Sequence, residues 1–201
     1  MVNVSLKDGS VISVEAGITV ANLAARISEN LVRVAICAAV NDKIVDLNFK
    51  INMDCSVKIF TLKDEEGQRA LRHTAAHVMA AAIKNIFPTS RLAIGPAIEG
   101  GFYYDFDFAT PIKSEGLGKI EAEMDRIIKL GLPVVRQEKS RAEAGRILDA
   151  AKEVYKLELL AEIPRGEKIS FYKIGDFADL CGGPHIPSIN KIKATTGGKY
   201  I

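Results

Sequence analysis

At 201 residues, 48% of them apolar and 26% charged, the chain is long enough for one large or two modest globular domains. A net charge of +2, from 27 basic and 25 acidic residues, gives no global field for a polyanion, and no apolar run is long enough to span a bilayer. The start, Met1-Val2-Asn3-Val4-Ser5-Leu6-Lys7, is no signal peptide, and three widely spaced cysteines form no disulfide framework, so a reducing cytoplasm is the expected compartment.

Residues 1–62 have the pattern of a small self-contained α+β unit. Val2–Leu6 and Val11–Glu15 flank Lys7-Asp8-Gly9-Ser10, and Asp-Gly between two strand-like runs signals a hairpin. From Ile18 to Ile27 the apolar residues Val20, Leu23, Ala24 and Ile27 fall at helical spacing. Val34–Val40 is a continuous apolar run, as in a buried central strand, and places Cys37 inside as a small hydrophobe. Asn41-Asp42 turns the chain, Lys43–Leu47 pairs back, Cys55 falls in a loop, and Val57–Leu62 closes the sheet. Two strands, a helix and further strands predict a β-grasp arrangement.

Lys63-Asp64-Glu65-Glu66-Gly67 is a polar link and the expected boundary with a second domain, residues 63–201. An alanine-rich helix is predicted from about Gln68 to Phe87, stopped by Pro88, with His73 and His77 near its start. Ala93-Ile94-Gly95-Pro96 turns into a strand pair with Gly100-Gly101 at its bend. Phe102–Asp107 then alternates, with Phe102, Tyr104 and Phe106 on one face. Tyr104 can present its hydroxyl to a pocket or pack in the core. Ser114–Leu130 is an amphipathic helix ended by Gly131 and Pro133, and Ser140-Arg141-Ala142-Glu143 matches a capping box before a helix reaching about Ala151. Tyr155-Lys156-Leu157 continues or follows that helix, and nothing local marks Lys156 as more than a solvated charge. Ser170–Ile174 is a strand leading to a turn at Asp179–His185. The stretch from Ser188 carries Lys191, Lys193 and Lys199 without an acid, and the end at Ile201 lacks any stop signal, as if cut.

All 3 histidines lie in two segments, His73-Thr74-Ala75-Ala76-His77 and Cys181-Gly182-Gly183-Pro184-His185. Positions i and i+4 share a helix face, so both imidazoles of the first pair can enter one pocket, and the glycines and proline make the second pair a compact turn. Three imidazoles and a thiolate can hold zinc tetrahedrally, or serve without metal as bases and hydrogen-bond partners around a hydrolytic water.

On Arg72–His77, Ala93–Pro96, Gly101–Asp105, Tyr155-Lys156 and Asp179–His185, the whole chain resembles the N-terminal half of the bacterial-type threonyl-tRNA synthetases. The resemblance implies an α+β protein: a small β-grasp (ubiquitin-like) TGS domain at 1–62, then a larger α+β editing domain at 63–201, akin to alanyl-tRNA synthetase editing domains. The implied reaction is hydrolysis of the ester joining serine to the acceptor end of tRNA(Thr). The site residues it implies are His73, Lys156 and Asp179 as catalytic groups, with His77, Tyr104, Cys181, His185 and Gly95 lining the substrate pocket.

The resemblance implies no metal for this editing, although in the alanine-editing relatives the residues equivalent to His73, His77, Cys181 and His185 bind zinc. ATP, magnesium and a further zinc belong to the family's aminoacylation domain, whose motifs are absent here, so no ligase activity is expected from these residues alone. A monomer is expected, the parent being a homodimer. The competing readings are a zinc-dependent alanyl-tRNA deacylase, against which the TGS-like domain argues, an inactive RNA-binding module, and a structural zinc domain.

Overall fold

The structure, a computed structural model, describes residues 1–195 and 199–200. Thr196–Gly198 and Ile201, part of the lysine-bearing stretch and of the end expected to be cut, lie outside the described residues. Two compact units are formed, Met1–Leu71 with Gly183–Pro187, and Arg72–Gly182 with Ser188–Ile201.

In the first unit, β1 (Val2–Leu6) and β2 (Val11–Val14) form the predicted hairpin, with Gly9 supplying φ +85° at the bend. A short β3 (Ile18–Thr19) leads into α1 (Val20–Ile27), whose first turn Thr19 caps through the Asn22 N–H. A second helix, α2 (Glu29–Val34), follows at once. Ser28 closes α1 with its N–H on the Ala24 carbonyl and opens α2 with its hydroxyl on the Asn30 N–H. Val34, assigned from sequence to the apolar strand, thus ends a helix, and β4 is Ala35–Val40.

Asn41 and Asp42, both at positive φ as a two-residue hairpin turn requires, connect β4 to β5 (Lys43–Asp46). After β6 (Lys50–Ile51), which pairs with β3, the last strand β7 (Cys55–Thr61) lies parallel to β1. The sheet order β2-β1-β7-β4-β5, with a parallel pair at its centre and α1 packed over it, is the β-grasp arrangement. Val4, Val14, Val20, Leu23, Ala35, Ala38 and Val57 make its core. Cys55, expected in a loop, begins β7 and is buried in this core.

The expected polar link is shorter than its composition suggests. Asp64 turns its carboxylate back onto the Thr61 N–H and hydroxyl (2.8 and 3.0 Å), and α3 (Glu65–Ile86) starts one residue later. Gly67 allows the close approach, since a Cβ there would stand 2.0 Å from the Thr61 carbonyl oxygen.

In the second unit α3 continues past β8 (Arg91–Leu92), β9 (Ala97–Ile98), β10 (Gly101–Phe102) and β11 (Phe106–Asp107), paired as β9–β10 and β8–β11. The alternating run expected at 102–107 is interrupted at Tyr103–Asp105, yet its shared face survives: Phe102, Tyr104 and Phe106 pack with Ala76, Ala80 and Leu92. Small alanines on α3 let these aromatic rings come close to the helix. Then come α4 (Ser114–Lys129), with Ile120, Met124, Ile127 and Ile128 buried, β12 (Val134–Lys139), α5 (Arg141–Ala150), α6 (Val154–Glu162), β13 (Ile169–Ile174) and β14 (Phe177–Leu180). Strands β12-β13-β14 form an antiparallel sheet, and Ala144 and Leu148 of α5, Leu160 of α6, and Ile169, Phe171 and Leu180 of the sheet share a core. Ser140 and Glu143 complete the capping box expected at the start of α5. Among the described residues no helix is long and apolar enough to cross a membrane.

Candidate functional site

Three elements of the second unit bring the predicted residues together. Helix α3 carries His73 and His77 one turn apart, their rings edge to face with centroids 5.1 Å apart. Near the start of α6, Lys156 lies one turn before Leu160, so the helical repeat that buries the leucine also turns the lysine inward. From β14 comes Asp179, with Cys181 just beyond the strand. The turn expected from Asp179 onward therefore starts two residues later, because Asp179 and Leu180 complete the pairing with Tyr172 and Phe171.

Lys156 and Asp179 are 4% and 2% exposed, and their charges meet: Nζ lies 2.8 Å from Oδ1 and 3.1 Å from Oδ2. The Tyr104 hydroxyl donates to Asp179 Oδ2 at 2.6 Å, and His77 Nε2 lies 3.8 Å from the same oxygen. A buried carboxylate is tolerated only when its lone pairs are satisfied, and here an ammonium and a phenol do so. The same ammonium sits 5.4 Å from the centroid of the Tyr104 ring. Burial first, and then the neighbouring Asp179 charge, push the Tyr104 hydroxyl far above its ordinary range, which keeps it a proton donor. Burial, helped by the charges of His73 and Lys156, holds His77 well below the ordinary histidine value, so its imidazole is neutral at pH 7.

Toward solvent the chemistry changes from an ion pair to a polarisable pair. His73 and Cys181 are half-buried, with Nε2 and Sγ 3.4 Å apart, and the backbone of Cys181 is tied to Ser170 by Cys181 N–H to carbonyl (3.0 Å) and Ser170 hydroxyl to the Cys181 carbonyl (2.6 Å). Ligand-type atoms of His73, His77 and Cys181 lie within 4.8 Å of one another. Imidazole nitrogens and a cysteine sulfur are donors that zinc accepts, so the set fits a metal chemically. His185 is buried, follows the cis Gly183–Pro184 peptide, and donates its backbone N–H to Asp46 Oδ1 at 2.8 Å. Gly95 packs directly beneath the Tyr104 ring.

Tyr104 thus takes both roles open to it, ring in the core and hydroxyl on Asp179. Local sequence left Lys156 unmarked; the periodicity of α6, which repeats from Lys156 to Leu160, carries the signal. Glu153 went unnoticed altogether. It is buried at the head of α6, with Oε1 on Lys84 Nζ (2.7 Å) and Oε2 accepting the Leu92 N–H (2.7 Å), and so ties α6 to α3 and β8.

Residues 2–61 match the TGS domain, and residues 169–196 match the threonyl and alanyl tRNA synthetase second additional domain. The chain is 48% identical over 194 residues to the threonine–tRNA ligase of Clostridium tetani (strain Massachusetts / E88), 49% to that of Clostridium kluyveri (strain NBRC 12016) and 45% to that of Symbiobacterium thermophilum. Each match covers 96% of this chain, which itself spans about 30% of the relative's length. The chain thus joins a match to the TGS domain with a match to the threonyl and alanyl tRNA synthetase second additional domain, and along 96% of its length it is similar to a part of the threonine–tRNA ligases.

Proposed function

We propose that residues 63–201 form an aminoacyl-ester hydrolase that removes serine from mischarged tRNA(Thr), working beside a TGS domain at residues 1–62 in a protein that attaches threonine to tRNA(Thr). The observation that carries this reading is the buried Lys156–Asp179–Tyr104 array, linked through His77 to the half-buried His73–Cys181 pair: a held ammonium and an imidazole on the more open side of one site. Serine lacks one methyl of threonine, and such a difference is worth only about 1–3 kcal/mol of discrimination, so a synthetic site benefits from a second, hydrolytic one.

In the proposed reaction a water oxygen attacks the ester carbonyl carbon. The bond to the ribose oxygen then breaks, and the water's proton ends on that oxygen. His73 takes the proton, and Cys181 orients its ring. An ammonium carries three N–H donors; Asp179 takes two, leaving one for the developing oxyanion or the adenosine end. Asp179 orients Lys156 and Tyr104, and neutral His77 completes the wall without adding charge. The partner is the acceptor end of tRNA(Thr) carrying serine.

The test is deacylation of seryl-tRNA(Thr) against threonyl-tRNA(Thr), with and without a zinc chelator. Loss of serine alone, insensitive to chelator and reduced about a hundred-fold or more in His73→Ala and Lys156→Ala, is the expected result. Wild-type rates in both variants sink the assignment, and hydrolysis of neither ester points instead to an RNA-binding module.

A second reading is favoured by the closeness of the ligand-type atoms of His73, His77 and Cys181. These residues would hold a zinc ion, which would supply Lewis acidity. Chelator-sensitive activity would select it, and unfolding on chelation would mark a structural metal.

A further inference from the structure

We propose that Gly95 is a positioning residue for the hydrolytic site: it leaves the space into which the Tyr104 ring settles, and so sets the hydroxyl that holds Asp179 and, through it, Lys156. The inference rests on the editing reading for its catalytic consequence and on geometry alone for its structural one.

A Cβ added at Gly95 would stand 2.1, 2.6 and 2.7 Å from three atoms of the Tyr104 ring. The backbone asks for no glycine here, because Gly95 is not among the glycines at positive φ. Space for the ring is therefore what the residue supplies. Nor can the neighbourhood give way easily. Ile94 and Asp105 are joined by a backbone hydrogen bond of 2.8 Å and Ala93 and Asp105 by one of 3.0 Å, so the segment carrying the ring is fixed to the turn carrying the glycine. The ring also stacks on Phe106, with centroids 4.7 Å apart. An alanine would have to drive the ring more than about 1 Å toward groups already in contact, the scale of displacement that costs about a hundred-fold in rate at a preorganised site. Its hydroxyl, 2.6 Å from Asp179 Oδ2, would leave hydrogen-bond range.

The test is a double-mutant cycle on the full chain, comparing wild type, Gly95→Ala, Tyr104→Ala and the double variant. Seryl-tRNA(Thr) hydrolysis is resolved into kcat and KM, and Tm is measured in parallel. Gly95→Ala is expected to lower kcat about a hundred-fold with KM little changed. In the Tyr104→Ala background, where the space is open, the same substitution should change neither kcat nor Tm. Wild-type kcat in Gly95→Ala, or losses that multiply in the double variant, overturns the inference, since either means that Gly95 does not act through the ring. If wild type hydrolyses neither ester the editing reading fails, and the Tm cycle still decides whether glycine and ring are coupled. If Gly95→Ala alone does not fold, a double variant with the Tm of Tyr104→Ala supports the coupling and one that is also unfolded refutes it.

Discussion

The three cysteines of this chain share a side chain and nothing else. Cys37 is fully buried in the β-grasp sheet, its Sγ 3.7 Å from the Glu66 carbonyl oxygen. Burial, with the charges of Asp46, Glu66 and Asp64 adding to it, pushes that thiol up to about 12. Burial and the Asp54 charge also raise the thiol of Cys55. Cys181 alone is half-open, beside His73. At pH 8 roughly one Cys37 in ten thousand is a thiolate, so alkylation with iodoacetamide should modify Cys181 in the native protein and reach Cys37 only after unfolding. Peptide mapping of the alkylated protein checks this, and Cys37 reacting at the rate of a free thiol would contradict its placement. The expectation that Cys37 is a buried hydrophobe follows from the apolar run around it, whereas Cys55 stands between Asp54 and Ser56 and offers no such context. Its burial comes from pairing beside β1, a non-local fact.

At the scale of elements, helices are read from local periodicity and capping, and most were. The capping box at Ser140 and the apolar stripe of α4 were each visible within a dozen residues. The failures have physical causes. Helix α2 was missed because a single residue, Ser28, closes one helix and opens another. Strand β12 was missed because Arg136-Gln137-Glu138-Lys139 is too charged to read as a strand. It is an edge strand, and Glu138 pairs there with Arg136 and with Lys168. The candidate site was legible in its histidines and its Asp179–Cys181 segment. Lys156 came from resemblance, and Glu153 from neither.

Glu153 supplies the prediction at this scale. Glu153→Ala strands the Leu92 N–H and leaves the Lys84 ammonium only its bond to the Ser90 carbonyl, and should lower stability by about 2–3 kcal/mol in a denaturant melt. Glu153→Gln should recover part of that loss, because an amide oxygen can still accept from Leu92. A Glu153→Ala variant with the wild-type midpoint would show that the tie between α6, α3 and β8 contributes nothing.

For the molecule as a whole, the β-grasp core is built, among the described residues, from residues between Val2 and Val57. A chain of residues 1–62 retains that core and loses the Asp46–His185 bond. It should therefore unfold cooperatively, with a low midpoint as befits a core of that size. A chain that binds hydrophobic dye and melts without a transition would show that the rest of the first unit, residues 63–71 and Gly183–Pro187, is needed to complete the fold.

The second unit is assembled differently. His73 and Cys181, in contact at the site, are separated by 108 positions, and Tyr104 and Asp179 by 75. On a ribosome adding about 5–20 residues per second, Cys181 is made roughly 5–20 s after His73. For that interval the histidines and alanines of α3 await β14, and for roughly the last 1–5 s of it the ammonium of Lys156 awaits a carboxylate 23 positions further on. Completion of the site is thus a late event in the life of each nascent chain, arriving with Asp179 and Cys181 rather than accruing along the way.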